Sequence, residues 1–175
     1  MIKHFAVLVA CLFMLAFGGT VAALEIGNKA PDFHVFSGDG KEMSLARLAG
    51  KTVVLLYETR YSKEQNRLFK REMMKSYRAE PARYADVRVL PVVNCKAAFS
   101  LVRGIWKKKL MEHSRKEGIL IFGDWDGKLA DSYSMKPDAS NIIVIDKDGF
   151  VRFVSCYPLD SAAVEKVLAI IRNGK

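Results

Sequence analysis

Apolar and polar positions follow two different periods along the chain and predict strands and helices in turn. Residues 53–57 are a continuous apolar run, as expected of a strand that is buried on both faces. Residues 86–94 predict a second strand, in which Pro91 indicates an edge position or a bulge. Residues 141–146 and 150–156 flank a Lys-Asp-Gly turn and predict a hairpin.

Helical spacing of apolar residues predicts three helices among these strands, at residues 62–77, 96–117 and 159–172. The expected apolar stripe of the second helix comprises Ala98, Val102, Ile105, Trp106 and Leu110. Strands that alternate with helices, followed by a hairpin and a last helix, predict an α/β fold. Its central sheet is expected to be mixed and flanked by helices.

Residues 1–23 have the pattern of a cleavable signal peptide. A basic start at Lys3 precedes an apolar run over residues 5–17, and residues 21–23 are small enough for cleavage. The run is shorter than the roughly 20 residues that span a bilayer. We therefore expect one exported domain, residues 24–175, with no membrane span after cleavage. A lipoprotein box at residues 8–11 and an uncleaved anchor are the alternatives.

Composition excludes several classes of site. The formal net charge is +9, and only Cys95 and Cys156 remain after the leader, so no secreted disulfide framework is present. The histidines and cysteines lie too far apart for zinc spacing, and we expect no metal and no cofactor. The basic run at residues 107–109 is typical of a solvated helix face, with contact to an anionic surface as the alternative. Nucleic acid is not expected as a partner outside the cytoplasm.

Three motifs resemble known families. Residues 27–33, G-N-K-A-P-D-F, resemble the G-x-x-A-P-D-F opening of the thioredoxin-like superfamily, in its peroxiredoxin and periplasmic-reductase branch. Residues 143–149 are similar to the F-L-I-D-x-D-G hairpin of that branch. Residues 60–66 are similar to a segment of YtfJ-type periplasmic proteins, whose activity is unassigned. The resemblance implies a thioredoxin-like sandwich and a periplasmic location, and it implies no substrate.

Two departures from the superfamily pattern argue against thiol chemistry. Ser62 and Gln65 stand where the resemblance places the two active-site cysteines, and Ser140 stands where it places a cis-proline. Because the thiolate is the nucleophile in thiol–disulfide exchange, we expect a redox-inactive protein with a binding or accessory role.

Ser62 has two interpretations. Ser-x-x-Gln is a capping box, in which Ser62 accepts from the backbone N–H of Gln65 and the Gln65 side chain reaches back. The alternative is a nucleophile, which would need a base such as His34 or His113 brought close by the fold.

Arg60 and Lys63 suggest a site for a carboxylate or a phosphate. They accompany Ser62 at the predicted helix start, where free N–H groups attract anions. The alternative is that Glu58 or Glu64 neutralises them. The expected partner is an unidentified periplasmic protein or a small anionic ligand.

Cys95 offers a rival function, a one-cysteine thiol oxidoreductase or peroxidase. It precedes the predicted helix at residues 96–117 and lies beside Lys96, two features that lower a thiol pKa. The alternative is a small, partly buried side chain. Two strands are expected between those of Cys95 and Cys156, which separates the thiols by about 14 Å and disfavours a disulfide.

Overall fold

The computed structural model describes residues 24–174, and the predicted signal peptide lies outside them. The strands, in chain order, are β1 His34–Ser37, β2 Glu42–Ser44, β3 Thr52–Glu58, β4 Val87–Asn94, β5 Phe122–Asp124, β6 Asn141–Ile145 and β7 Val151–Ser155. The α-helices are α1 Arg67–Ala79, α2 Ser100–Glu117, α3 Lys128–Ser132 and α4 Ser161–Asn173, and a 3-10 helix spans Ala46–Leu48. All seven strands form one mixed sheet in the order β2-β1-β5-β4-β3-β6-β7.

Strand β3 is an interior strand, as its apolar run predicts. It pairs in parallel with β4 and antiparallel with β6. Its side chains alternate between two cores: Leu55 and Tyr57 face β1 and α3, while Val54 and Leu56 face α1 and α4. Burial on both faces explains why this strand has no polar alternation.

Pro91 does not mark an edge strand, which corrects the sequence prediction. Strand β4 lies between β3 and β5, and Pro91 is paired with Leu56. The ladder with β5 covers only Val92–Asn94, where Val92 is the first paired residue. Pro91 therefore precedes the point where β4 gains its second neighbour, and a missing N–H is tolerated there.

The helices begin later than predicted: α1 at Arg67 and α2 at Ser100 begin well after residues 62 and 96, and α4 at Ser161 begins shortly after residue 159. The predicted stripe of α2 is also wrong in part, since Ile105 is 57% exposed and Leu110 is the buried residue of that helix. The inner face of α2 approaches the turn after β1 so closely that a Cβ at Gly38 would lie 2.3 Å from the Lys107 carbonyl oxygen. No helix within residues 24–174 is long and apolar enough to cross a membrane.

Candidate functional site

The candidate site lies at the sheet edge where β3, β4 and β5 end. Residues 59–66 connect β3 to α1 there, and residues 138–140 lead into β6 beside them. Because parallel strands present their carboxyl ends at one edge, this is the edge where α/β sheets bind ligands.

Ser62 is closed into a turn rather than presented to solvent. It is fully buried, and its Oγ accepts from the backbone N–H of Thr59 at 2.9 Å and from the Thr59 hydroxyl at 3.2 Å. The Thr59 Oγ1 accepts in turn from the N–H groups of Ser62 and Tyr61, at 3.1 and 3.2 Å. These bonds occupy the Ser62 hydroxyl, and no histidine is among its hydrogen-bond partners.

The capping box predicted at Ser62 is wrong. The N–H of Gln65 donates to the Ser62 backbone carbonyl at 3.0 Å, and the helix begins only at Arg67. The Gln65 side chain instead accepts from the Ser140 N–H at 3.0 Å and donates to the Asp138 carbonyl at 3.4 Å. A serine five residues before a helix cannot cap it. The two hydrogen bonds of the Gln65 side chain connect this segment to the loop before β6.

A polar chain continues from Ser140 into α1. The Ser140 hydroxyl donates to the Glu58 carboxylate at 2.6 Å, and Lys70 reaches both oxygens of Glu58, at 2.9 and 3.0 Å. Lys70 also donates to the backbone carbonyl of Lys63. The side chains of Glu58 and Lys70 are 15% and 31% exposed, so this ion pair is largely shielded from water. None of the described peptide bonds is cis, including the one before Ser140.

Asn66 joins three segments and was not singled out by sequence reasoning. It is buried, with its Nδ2 donating to the Ser140 carbonyl at 3.1 Å and its Oδ1 accepting from the Leu159 N–H at 2.9 Å. An asparagine before an apolar helix looks in sequence like an ordinary cap, so no local signal identifies these long-range bonds.

Arg60 and Lys63 remain exposed at this edge. The Arg60 guanidinium lies 4.6 Å from the centre of the Tyr61 ring, and within residues 24–174 neither cation forms an ion pair. Glu58 is paired with Lys70, and Glu64 forms no ion pair within residues 24–174, so the alternative that Glu58 or Glu64 neutralises them is not found. The anion site stays a prediction, but its helix contribution is reduced because α1 begins at Arg67.

Cys95 is a poor nucleophile in this fold, which corrects the expectation of a lowered pKa. It is 2% exposed, and burial together with the nearby Asp124 carboxylate raises the pKa of the thiol to about 12. The helix that was expected to activate it begins at Ser100. Strands β3 and β6 separate the strands of Cys95 and Cys156, as predicted, and both thiols are free.

Asp124 is buried beside Cys95. Its Oδ2 accepts from the Tyr57 hydroxyl at 3.2 Å and from the Ala130 N–H at 3.0 Å, while Oδ1 is buried without a partner in the described part of the chain. Burial raises the pKa of Asp124, and burial with the Asp124 charge raises the pKa of Tyr57.

Two clefts lie away from this edge. One, of about 290 Å³, is lined by Lys29, Leu45, Lys51 and Lys147 among others, and another lies between α1 and α4. Neither includes residues 59–66 or 138–140 in its lining. Among residues 24–174, no three His, Cys, Asp or Glu side chains are grouped as metal ligands.

Comparison with models of known protein families identifies the family of this chain. The model of the AhpC/TSA family matches residues 26–154, which is most of the chain. The chain belongs to the AhpC/TSA family. No curated protein sequence matches it.

Solved structures confirm the thioredoxin-like α/β fold of this AhpC/TSA-family chain. A candidate thiol:disulfide interchange protein DsbE from Chlorobium tepidum is 19% identical, with a TM-score of 0.64 over 87% of this chain and 99% of the other. A thiol peroxidase from Chromobacterium violaceum is 13% identical, with a TM-score of 0.60 over 87% and 88%. The exposed lipoprotein thioredoxin of Streptococcus pneumoniae is 19% identical, with a TM-score of 0.54 over 79% and 98%. At these identities the likeness concerns the fold alone.

Proposed function

We propose that this AhpC/TSA-family chain is an exported binding or accessory protein that lacks a redox dithiol. Its binding surface comprises residues 59–65, the segment before β6 and the end of β4. The observation that carries the proposal is the closed turn of Ser62, because a fully buried hydroxyl stands where the resemblance places the first active-site cysteine. An edge held together by Gln65, Asn66 and Ser140 favours a preformed surface over a reacting group.

The same proposal includes export of the chain to the periplasm. The apolar run and small residues of positions 1–23 support cleavage by a signal peptidase, and the domain would then be residues 24–175. One similar structure is an exposed lipoprotein thioredoxin. The segment at residues 60–66 further supports a relationship to YtfJ-type proteins.

The proposed ligand group is anionic, a carboxylate or phosphate of a partner protein or of a small molecule. Arg60 and Lys63 are exposed and available to it, while Glu58, at the end of β3, is already held by Lys70 and Ser140. The ligand would bind to the exposed side chains of Arg60 and Lys63, where charge guides encounter more than it adds affinity.

A titration with inorganic phosphate and with citrate tests this site. Replacing Arg60→Ala and Lys63→Ala together should lower the affinity about tenfold, and binding by the native chain should weaken as salt rises. The matched control is Lys166→Ala with Arg172→Ala, which removes the same two charges from α4, where both residues are exposed. Equal losses in the two double variants, or an affinity insensitive to salt, would contradict the anion site.

The rival function, a one-cysteine thiol oxidoreductase or peroxidase, depends on Cys95. Its thiol is buried and its pKa is raised to about 12, so the thiolate fraction at neutral pH is very small. These two properties favour the binding role over the thiol enzyme.

A further inference from the structure

Helix α2 presents apolar side chains to solvent. Leu101 is 85% exposed and Ile105 is 57% exposed, and Phe99, immediately before the helix, is 60% exposed. In a helix of 18 residues only Leu110 is buried. Exposed aliphatic and aromatic residues that lie together mark an interaction surface more often than scattered ones do.

Helical geometry places these side chains beside basic residues. At about 100° per residue, the outward face opposite Leu110 is formed by Leu101, Ile105, Lys108, Lys109, Glu112, Arg115 and Lys116. All of them are exposed, and the inner face is fixed by the close approach of Gly38 to the Lys107 backbone. The outward face thus combines apolar residues at its beginning with cations along the rest of its length.

The charge of this face is uncompensated. Within residues 24–174, none of Lys108, Lys109, Arg115 and Lys116 forms an ion pair, and Glu112 is the single acid among them. The whole chain has a formal charge of +9, so the field of the molecule also attracts anions.

We propose that the outward face of α2 adsorbs to an anionic lipid bilayer. Leu101 and Ile105 enter the interfacial region, and the four cations contact lipid phosphates, the combination that surface-bound helices use. The helix is about 27 Å long and convex, with cations distributed over it, which suits a broad flat surface. Adsorption is peripheral, since no described helix is long and apolar enough to span a bilayer.

An acidic protein is the competing occupant. A groove-binding partner would meet a concave apolar site, and neither described cleft is lined by residues of α2. The charge pattern and the convex face together favour the bilayer.

Co-sedimentation with lipid vesicles tests the proposal. The chain from Leu24 onward contains every element of both cores and is used without the leader, whose apolar run would bind lipid by itself. It should bind vesicles of roughly three parts phosphatidylcholine to one part phosphatidylglycerol, and bind pure phosphatidylcholine far more weakly. Binding should fall steeply as salt rises, because exposed charges are screened.

Variants separate the electrostatic contribution to vesicle binding from the apolar one. Replacing Lys108, Lys109, Arg115 and Lys116 by Gln should weaken binding about 100-fold, and Leu101→Ser with Ile105→Ser should weaken it about tenfold. The matched control replaces Arg78, Lys147, Lys166 and Arg172 by Gln, four exposed cations elsewhere on the surface, and should retain nearly all binding. Circular dichroism of each variant verifies that the fold is retained.

Three results would overturn the proposal. These are no binding of the native chain to the anionic vesicles, an equal loss in the control variant, and binding that survives removal of the four cations of α2. Tight binding of poly-glutamate without any binding to vesicles would assign the face to an acidic protein instead.

Discussion

Two aspartates are buried at opposite edges of the sheet in different surroundings. Asp146, after β6, accepts from the N–H groups of Asp148 and Phe150 at 2.9 and 2.8 Å and from Arg152 at 2.6 Å. Burial raises the pKa of Asp146, but these N–H groups and the guanidinium outweigh burial and hold it below the usual range. Asp124 forms no ion pair within residues 24–174, and burial raises its pKa.

The two carboxylates therefore predict opposite pH dependences. A lowered folded-state pKa gives Asp146 a contribution to stability that is present above its unfolded pKa and lost as pH falls through its folded pKa. A raised folded-state pKa gives Asp124 a contribution that is present at low pH and lost as pH rises through its folded pKa.

Urea unfolding of the Asp146→Asn and Asp124→Asn variants between about pH 2 and 8 measures both effects, because the lowered pKa of Asp146 places its titration in the acid part of that range. Asp146→Asn should lower the free energy of unfolding by about 2 kcal/mol at neutral pH, and the loss should shrink in acid. Asp124→Asn should gain stability relative to the native chain as pH rises. The same pH trend in both variants would refute these assignments.

At the scale of elements, the connection from β3 to α1 is held by side chains rather than by a cap. Asn66 is the N-terminal flanking residue of α1, yet its side chain makes no capping bond. It instead donates to the Ser140 backbone carbonyl and accepts from the Leu159 N–H. This long-range bonding keeps the beginning of α1, the loop before β6 and the entry to α4 in one arrangement.

Asn66→Ala should lower the free energy of unfolding by about 2 kcal/mol, because it leaves the buried Ser140 carbonyl and the partly buried Leu159 N–H without partners. Asn173→Ala, at the exposed end of α4, is the matched control and should change stability by less than about 0.5 kcal/mol. Chemical denaturation of the two variants measures the difference. Equal stabilities would mean that water or a rearranged loop satisfies the groups that Asn66 now bonds.

Elements with strong local signals were predictable from the sequence. The run in β3, the Lys-Asp-Gly hairpin between β6 and β7, and the separation of the two cysteine strands are all confirmed. The first two depend on periodicity or turn chemistry that acts within a few residues, whereas the third follows from the strand order that the thioredoxin-like resemblance implies.

The features that could not be predicted from the sequence depend on contacts between distant segments. The start of α1 was placed at Ser62 because a capping box is a local pattern, whereas Gln65 is used by the loop before β6. The orientation of α2 depends on its contact with Gly38, and the burial of Asp124 depends on α3, a short helix that the sequence did not indicate. Ser62 and Cys95 were both at the predicted edge, but their burial could be read only from the fold.

At the scale of the molecule, an AhpC/TSA-family fold is combined with an edge that presents exposed cations and lacks a Cys-x-x-Cys. Arg60 and Lys63 are exposed there, whereas Ser62 and Cys95 are buried. Burial raises the pKa of the Cys95 thiol. The scaffold is that of the thiol proteins it resembles, while the chemistry of this edge favours binding.

Turnover by the chain from Leu24 onward is the most direct test of this account. Insulin reduction with dithiothreitol and peroxide consumption should both stay at the level of the buffer control, and Cys95→Ser should change neither. The Ser62→Cys, Gln65→Cys variant is the matched comparison, because it restores a Cys-x-x-Cys at the same edge. Thiol-dependent turnover by the native chain that disappears in Cys95→Ser would contradict the central claim.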